Sequence, residues 1–448
     1  MFNANIDYMW VSNCANNNGD NDRIYGNRRL SMREKPFGYE WPGGYFTGEE
    51  EMELVAEVVR ARSPFRYYGL DAQHMCDQLE TEFAAYVSSP YALAVSSGTA
   101  ALNVALAALG VGPGQEVIVP GYMWISTVAA VVNRGAIPVL CEIDDSFAMD
   151  PTDLERRITS RTTVVIPVHM SGATGNIDEI CRVAREHNLK ILEDVAQAAG
   201  GSYKGRKLGS FGDIGIYSFQ YNKAMTTGEG GMVVTHDELL FKRCQAAQDI
   251  GHGRNLAGRL VVEPQVLLWG LGARMSELQA AYGLAQLRRL DTVTATLRSA
   301  KYRLRDAVCK IPGIGVRRVD DQQGDNGAFL ITTYATPDLA RNMAQELKAL
   351  GLRTGPGGMF LTHFDSWGFH LYYNLPALVL KASTSPDGFP WTHPLNKDSV
   401  YDYDKGALPR TDALFERSII QAIPANLVEQ DIEDIIGAYQ EAARRVLK

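Results

Sequence analysis

Cysteine is scarce in this chain. Six cysteines in 448 residues, at positions 14, 76, 141, 181, 244 and 309, are scattered and include no CxxC pair. That spacing excludes a disulfide frame and a zinc site with paired ligands, and no other metal cluster is evident. Long apolar runs are absent too: none approaches the roughly 18 residues of a membrane span. The N-terminus has neither a basic leader nor an apolar signal core, so a soluble cytoplasmic chain is the expectation. Cations are in the minority. With Lys+Arg 44 against Asp+Glu 52 and a net charge of −8, neither nucleic acid nor an anionic membrane is the expected partner. Two nucleotide signatures are also missing, the Walker loop and the GxGxxG turn, which weakens a nicotinamide dehydrogenase.

What is present falls into three regions. Residues 1–45 form an N-terminal arm, rich in Asn, Asp and Gly over 13–22 and basic over 23–35, with no hydrophobic period. Residues 46–292 are expected to form a large domain. Helical patterns at about 49–61 and 71–87 precede short apolar strands at 91–95, 116–119, 136–141, 163–168 and 190–192, separated by amphipathic segments. That alternation predicts an α/β domain with a mostly parallel sheet between helices, whose ligands bind at the carboxyl ends of the strands. One long helix is expected from Met275 to about Ala300. Residues 293–448 read as a smaller α+β domain, with strands at 315–319 and 328–333 and helices at 337–350 and 428–446. Within it, 355–410 has little periodicity and reads as an insertion.

Four groups in the large domain could carry chemistry. Ser97-Gly98-Thr99 sits between a strand and a helix, where free N–H groups and hydroxyls suit a phosphate, although an ordinary helix cap is the more frequent reason for such a turn. Trp124, in the next strand-to-helix connection, could stack on a flat ring or simply fill the core. Leu192-Glu193-Asp194 ends a strand on two carboxylates, and strand alternation lets only one of them enter a given site. Lys223 follows the apolar strand 214–219 and precedes a glycine-rich turn. A desolvated lysine loses its proton readily and can attack a carbonyl; a lysine at a strand end can also just reach for solvent. His169, at the end of 164–168, is either an acid–base group or a satisfied core histidine. Phosphate cup, ring platform, carboxylate and lysine occur in that order. Together they are the parts that hold pyridoxal 5′-phosphate.

The text then resembles a known family. Ser97-Gly98-Thr99-Ala100-Ala101-Leu102, Glu193-Asp194-Val195-Ala196-Gln197-Ala198, Ser218-Phe219-Gln220-Tyr221-Asn222-Lys223 and Arg274-Met275-Ser276-Glu277 are similar to the DegT/StrS-type sugar aminotransferases, pyridoxal-phosphate enzymes of fold type I. The resemblance covers about 50–310 firmly. It implies that Lys223 bonds the cofactor, Asp194 pairs with its ring nitrogen and Gln197 lies near the ring hydroxyl. Gly98, Thr99 and Ser218 would hold the phosphate, and Trp124 would stack on the ring. His169, Arg274 and His370 are the candidate substrate contacts. The implied reaction is a ping-pong transamination. Glutamate or glutamine gives its nitrogen to the cofactor, which carries it as pyridoxamine 5′-phosphate to a keto group of a sugar or cyclitol, with Lys223 moving the proton. A homodimer with shared sites is also implied, yet Gly272 stands where relatives carry an asparagine that reaches the neighbouring site. The alternatives are an aminotransferase–dehydratase of the aminobenzoate-forming type and a non-catalytic, cofactor-binding regulator. Sugar dehydratases of this family carry histidine where this chain has Lys223.

Overall fold

The computed structural model describes residues 41–255, 258–353, 361–383 and 385–447. Most of the expected arm, and positions 355–360 and 384 of the insertion-like region, lie outside the described residues. After a single helical turn at Pro42–Tyr45, the body continues with helices α1 (Glu49–Ala61) and α2 (Met75–Tyr86). Seven strands follow, with helices between most of them: β1 (Tyr91–Val95), β2 (Glu116–Pro120), β3 (Ile137–Cys141), β4 (Thr162–Val165), β5 (Lys190–Asp194), β6 (Ile214–Ser218) and β7 (Gly231–Thr235).

These strands form one sheet in the order β1-β7-β6-β5-β4-β2-β3. Strands β6, β5, β4, β2 and β3 pair in parallel, and β7 runs antiparallel to both β1 and β6. The reading of a mostly parallel sheet between helices therefore holds. Alternation along the strands divides the core. Leu93, Val95, Val117 and Val119 enter one apolar cluster, and Ala92, Ala94 and Ile118 enter the other, so helices are needed on both faces.

Two crossover helices matter for the site. Helix α3 (Gly98–Ala108) starts at Ser97, whose hydroxyl accepts from the Ala100 N–H. Helix α4 (Ile125–Asn133) starts at Trp124. The helix expected from Met275 to Ala300 is two helices, Glu277–Arg288 and Leu290–Val308. Arg289 between them leaves helical geometry at φ −111, ψ 4, where its guanidinium reaches Glu50 and Glu51 of α1. That pairing is long-range in sequence and invisible to periodicity.

The smaller sheet has four antiparallel strands, β8 (Gly315–Val316), β9 (Phe329–Thr333), β10 (Leu361–His363) and β11 (Ser418–Ala422), in the order β8-β9-β11-β10. Strand β8 is shorter than the expected 315–319, because the N–H of Arg318 turns away to donate to Asp145. The insertion-like region is shared between the two sheets: Leu361–His363 pairs in the smaller one as β10, while most of the described remainder packs against the larger one. Phe364, Trp367, Tyr372, Tyr403 and Leu408 of this region are buried in the core of the large sheet. Polar anchors fix it there. Asn396 donates to Gly135 and accepts from Gly114, while Ser399 and Tyr401 donate to the buried carboxylate of Glu116 at the start of β2. The result is a wall of aromatic side chains beside the carboxyl ends of the strands.

Candidate active site

Strands β5 and β6 decide the site. Their parallel register sets Asp194 opposite Ile216, so the chain leaving β6 passes the end of β5 and brings Lys223 beside Asp194. The loop after β6 is closed on itself: Phe219 exchanges hydrogen bonds with Gly230 and Thr227, and Lys223 N–H donates to Gln220. Burial pushes the Lys223 amine down to about 8, against the opposing pull of Asp194 and Glu229. Near neutral pH a useful fraction of such an amine carries a free lone pair.

The two carboxylates at the end of β5 part as alternation requires. Glu193 faces a turn and accepts from the N–H groups of Gly209, Phe211 and Gly212. Asp194 faces the other way. Its Oδ2 accepts from Thr127 Oγ1 at 2.9 Å and its Oδ1 from the Ala196 N–H at 3.1 Å. Burial raises the Asp194 pKa, opposed by those two donors, by Lys223 and by His169. Both hydrogen-bond donors are neutral, so the buried carboxylate calls for a cation in the site. A protonated pyridine nitrogen is such a cation.

The cup for an anion lies between β1 and β6. A Cβ placed on Gly98 would come within 2.6 Å of the Ser218 Cβ, so only glycine lets the first turn of α3 approach the end of β6 this closely. The N-terminus of α3 thus opens beside the Ser218 hydroxyl. Thr99 Oγ1 lies 2.8 Å from Ser126 Oγ, which adds a hydroxyl from α4. Gln197 is half-buried, and its Oε1 accepts from the Ser171 N–H at 3.1 Å.

Trp124 keeps 40% of its surface exposed at the strand ends. Its ring lies 4.8 Å from that of His370, which in turn stacks on Trp367 at 4.7 Å. His370 Nδ1 donates to the Trp367 carbonyl at 2.8 Å, which leaves Nε2 as an acceptor. Burial and the nearby Lys223 charge press its pKa down to about 3, so the ring stays neutral.

The other two candidate contacts sit elsewhere. His169 is fully buried, its Nε2 3.0 Å from Glu193 Oε2, in the layer beneath the site. Of its two readings, acid–base group or core histidine, the structure gives the burial and the Glu193 partner, and its charge is felt by Asp194. Arg274 bonds Asp249 at 2.6 Å beside the cup. Gly272 adopts φ +63, and nothing lies within 4 Å of a Cβ placed on it. Sequence reasoning passed over Thr127 and Ser126. Their signal was a hydroxyl in the first turn of α4, directly after Trp124.

An α/β fold with this sheet order, a lysine loop after β6, a buried aspartate at the end of β5 and an anion cup after β1 defines a fold-type I aminotransferase that uses pyridoxal phosphate. The profile of the DegT/DnrJ/EryC1/StrS aminotransferase family matches residues 48–362, and the chain belongs to that family. It is 38% identical over 402 residues to the spore coat polysaccharide biosynthesis protein SpsC of Bacillus subtilis, covering 89% of this chain and 95% of SpsC. It is 42% identical over 219 residues to GDP-perosamine synthase of Caulobacter vibrioides, a match spanning 48% of this chain and 56% of that enzyme. Among solved structures, an aminotransferase from Psychrobacter cryohalolentis superposes with a TM-score of 0.73 at 28% identity, covering 91% of this chain and 99% of that one.

Proposed function

We propose that this protein transfers an amino group from glutamate or glutamine to a keto group on a sugar or cyclitol. The observation that carries the reading is Lys223, lowered to about 8 by burial, held beside the buried carboxyl of Asp194 and under a neutral aromatic wall. When bound, pyridoxal phosphate supplies an electron sink for the Cα–H bond of an amino acid. The chain supplies the rest. Lys223 moves the proton at Cα, and Asp194 keeps a positive charge on the ring nitrogen. The α3 cup and Ser218 hold the phosphate, and Thr127 holds Asp194 in place. Trp124, Phe369 and the His370 acceptor offer flat C–H surface and one hydrogen-bond acceptor, which suits a ring bearing several hydroxyls.

Relatives support the acceptor class. One is named for spore coat polysaccharide biosynthesis, one for perosamine, and one from Streptomyces fradiae is an L-glutamine:2-deoxy-scyllo-inosose aminotransferase. The aminobenzoate-forming alternative draws on a likeness of fold alone. A second copy of the chain would complete the site. Trp269, 93% exposed, and exposed Val262 and Leu271 lie on the segment leading to Gly272 and offer it an apolar face. Among the described residues no helix is long and apolar enough to cross a membrane, and we read the enzyme as cytoplasmic.

The test is direct. The full-length protein is loaded with pyridoxamine phosphate and offered keto-sugars, nucleotide-linked keto-sugars and keto-cyclitols, and return of the visible cofactor band is followed. Return with one of these classes supports the reading. Return with simple 2-oxo acids alone would reject a sugar or cyclitol acceptor.

A further inference from the structure

Arg317 and Asn326 belong to the small domain, yet their side chains spend their hydrogen bonds on the large one. Arg317 is 4% exposed and has a carbonyl, rather than a carboxylate, at each of its bonds. Its Nε donates to Ser146 O at 2.5 Å, Nη1 to Met170 O and Ser171 O at 2.9 and 3.4 Å, and Nη2 to Ala173 O at 3.0 Å. Burying a guanidinium is unfavourable, and the nearby charges of Asp325 and Asp144 offset that only in part. Three of the four carbonyls around this planar group belong to the 170–173 loop and fix its shape, and the fourth, of Ser146, ties the group to the turn after β3. Within that loop Ser171 has φ +57 and Gly172 φ +87, both left-handed.

Asn326, 1% exposed, completes the clamp. Its backbone N–H donates to Gly172 O at 2.9 Å. Its Nδ2 donates to the carbonyl of Gln197 at 3.1 Å and to that of Ala199 at 3.4 Å, while Oδ1 accepts from the Ala328 N–H at 3.0 Å. A Cβ on Gly172 would come within 2.1 Å of Asn326 Oδ1, so the loop and the asparagine are in direct contact. Tyr122, from the turn after β2, braces the same loop with its hydroxyl 2.7 Å from Ser171 Oγ.

Everything the clamp holds converges on Gln197. Asn326 takes its main-chain carbonyl, and the loop presents the Ser171 N–H to its side-chain Oε1 at 3.1 Å. A backbone N–H can only donate, so the atom facing Ser171 is the oxygen and the free end of the amide is the NH2 group. The flip of this amide is set by Ser171, on the loop that Arg317 and Asn326 hold, and its place by Asn326 at the Gln197 carbonyl. We propose that Arg317 and Asn326 are positioning residues that orient Gln197, so that its amide donates to the ring oxygen of the cofactor. This rests on the pyridoxal-phosphate reading above and deepens it: the small domain tunes the cofactor as well as covering it.

The experiment uses full-length protein loaded with pyridoxal phosphate and follows the pH titration of the visible band given by the lysine-linked cofactor. A donor to the ring oxygen draws charge from it and makes the linked nitrogen easier to deprotonate. Gln197→Ala should therefore raise the band's midpoint by about one unit, a tenfold change in the equilibrium. Asn326→Ala should move it the same way, and the double variant no further than the larger single one. Asn326→Asp keeps Oδ1 for Ala328 but loses both donated bonds, and serves if the alanine variant folds poorly. Arg317→Lys should give a smaller shift in the same direction. If Gln197→Ala shifts the midpoint and Asn326→Asp does not, the clamp is structural glue and the proposal is overturned. If no visible band forms, or Gln197→Ala leaves the midpoint where it was, the underlying assignment of Gln197 fails and takes the proposal with it.

Discussion

Thr127 donates its hydroxyl to Asp194 Oδ2 at 2.9 Å, from the first turn of the helix that Trp124 begins. One short segment thus carries both the aromatic ring and the residue that aims the carboxylate. Thr127→Val keeps the shape and removes the donor, so among the described residues the Asp194 carboxylate is left with the Ala196 N–H. A hydrogen bond to a charged group is worth about 1.5–3 kcal/mol. The variant should fold with a loss in that range and lower kcat by about tenfold through a less firmly held carboxylate. Urea unfolding together with steady-state kinetics checks both. A loss of stability with kcat unchanged would mean that Thr127 supports the fold only.

Asp194 itself should trade stability for function. Burial raises its pKa in the fold above that of an unfolded chain, so its ionised form is held at a cost that grows as pH rises past the ordinary carboxylate range. Asp194→Asn preserves the geometry: Oδ1 keeps the Ala196 bond, and the amide donates to Thr127. The cofactor-free variant should therefore melt above the parent at pH 8, with the gap closing below about pH 4. Transamination should fall by about 10²–10³, the range for deleting one preorganised electrostatic group. A variant less stable than the parent at pH 8 would contradict the burial penalty.

Much of this was legible beforehand for a physical reason. The parallel sheet announced itself through alternating apolar and amphipathic segments, and the split of Glu193 from Asp194 follows from a two-residue period alone. What escaped detection depended on contacts distant in sequence. The break at Arg289 answers to Glu50 and Glu51, more than 230 positions away. The aromatic wall over Trp124 arises from an insertion without periodicity, whose seat on β2 is fixed by Ser399 and Tyr401 at Glu116. For His169 the strand end left two readings open, and the Glu193 partner that the fold gives its ring lies 24 positions away.

The state of Lys223 gives a pH prediction. Attack on the cofactor aldehyde needs the neutral amine, and the folded pKa is lowered from 10.5 to about 8. When cofactor-free protein is mixed with pyridoxal phosphate, the rate at which the visible band forms should rise with pH through about 8 and then level off. Asp194 is among the charges that hold this pKa up, so Asp194→Asn should move the midpoint lower. A rate still climbing steeply at pH 9.5 would show an ordinary, solvated lysine.

His370 separates the two halves of the reaction. Its ring rests between Trp124 and Trp367, its Nδ1–H is committed to the Trp367 carbonyl, and its pKa of about 3 keeps Nε2 a neutral acceptor throughout the working range. A neutral acceptor on an aromatic wall suits a hydroxyl of the keto acceptor better than the carboxylates of the amino donor. His370→Ala should therefore raise KM for the acceptor by about 10–100-fold, equivalent to about 1.4–2.8 kcal/mol. The donor half-reaction, followed in single turnover by loss of the visible band, should change less than about threefold. Because the ring does not ionise, acceptor-half rates of the parent should show no histidine-like step between pH 5 and 8. Equal losses in both halves would instead assign His370 to the chemistry they share at Lys223.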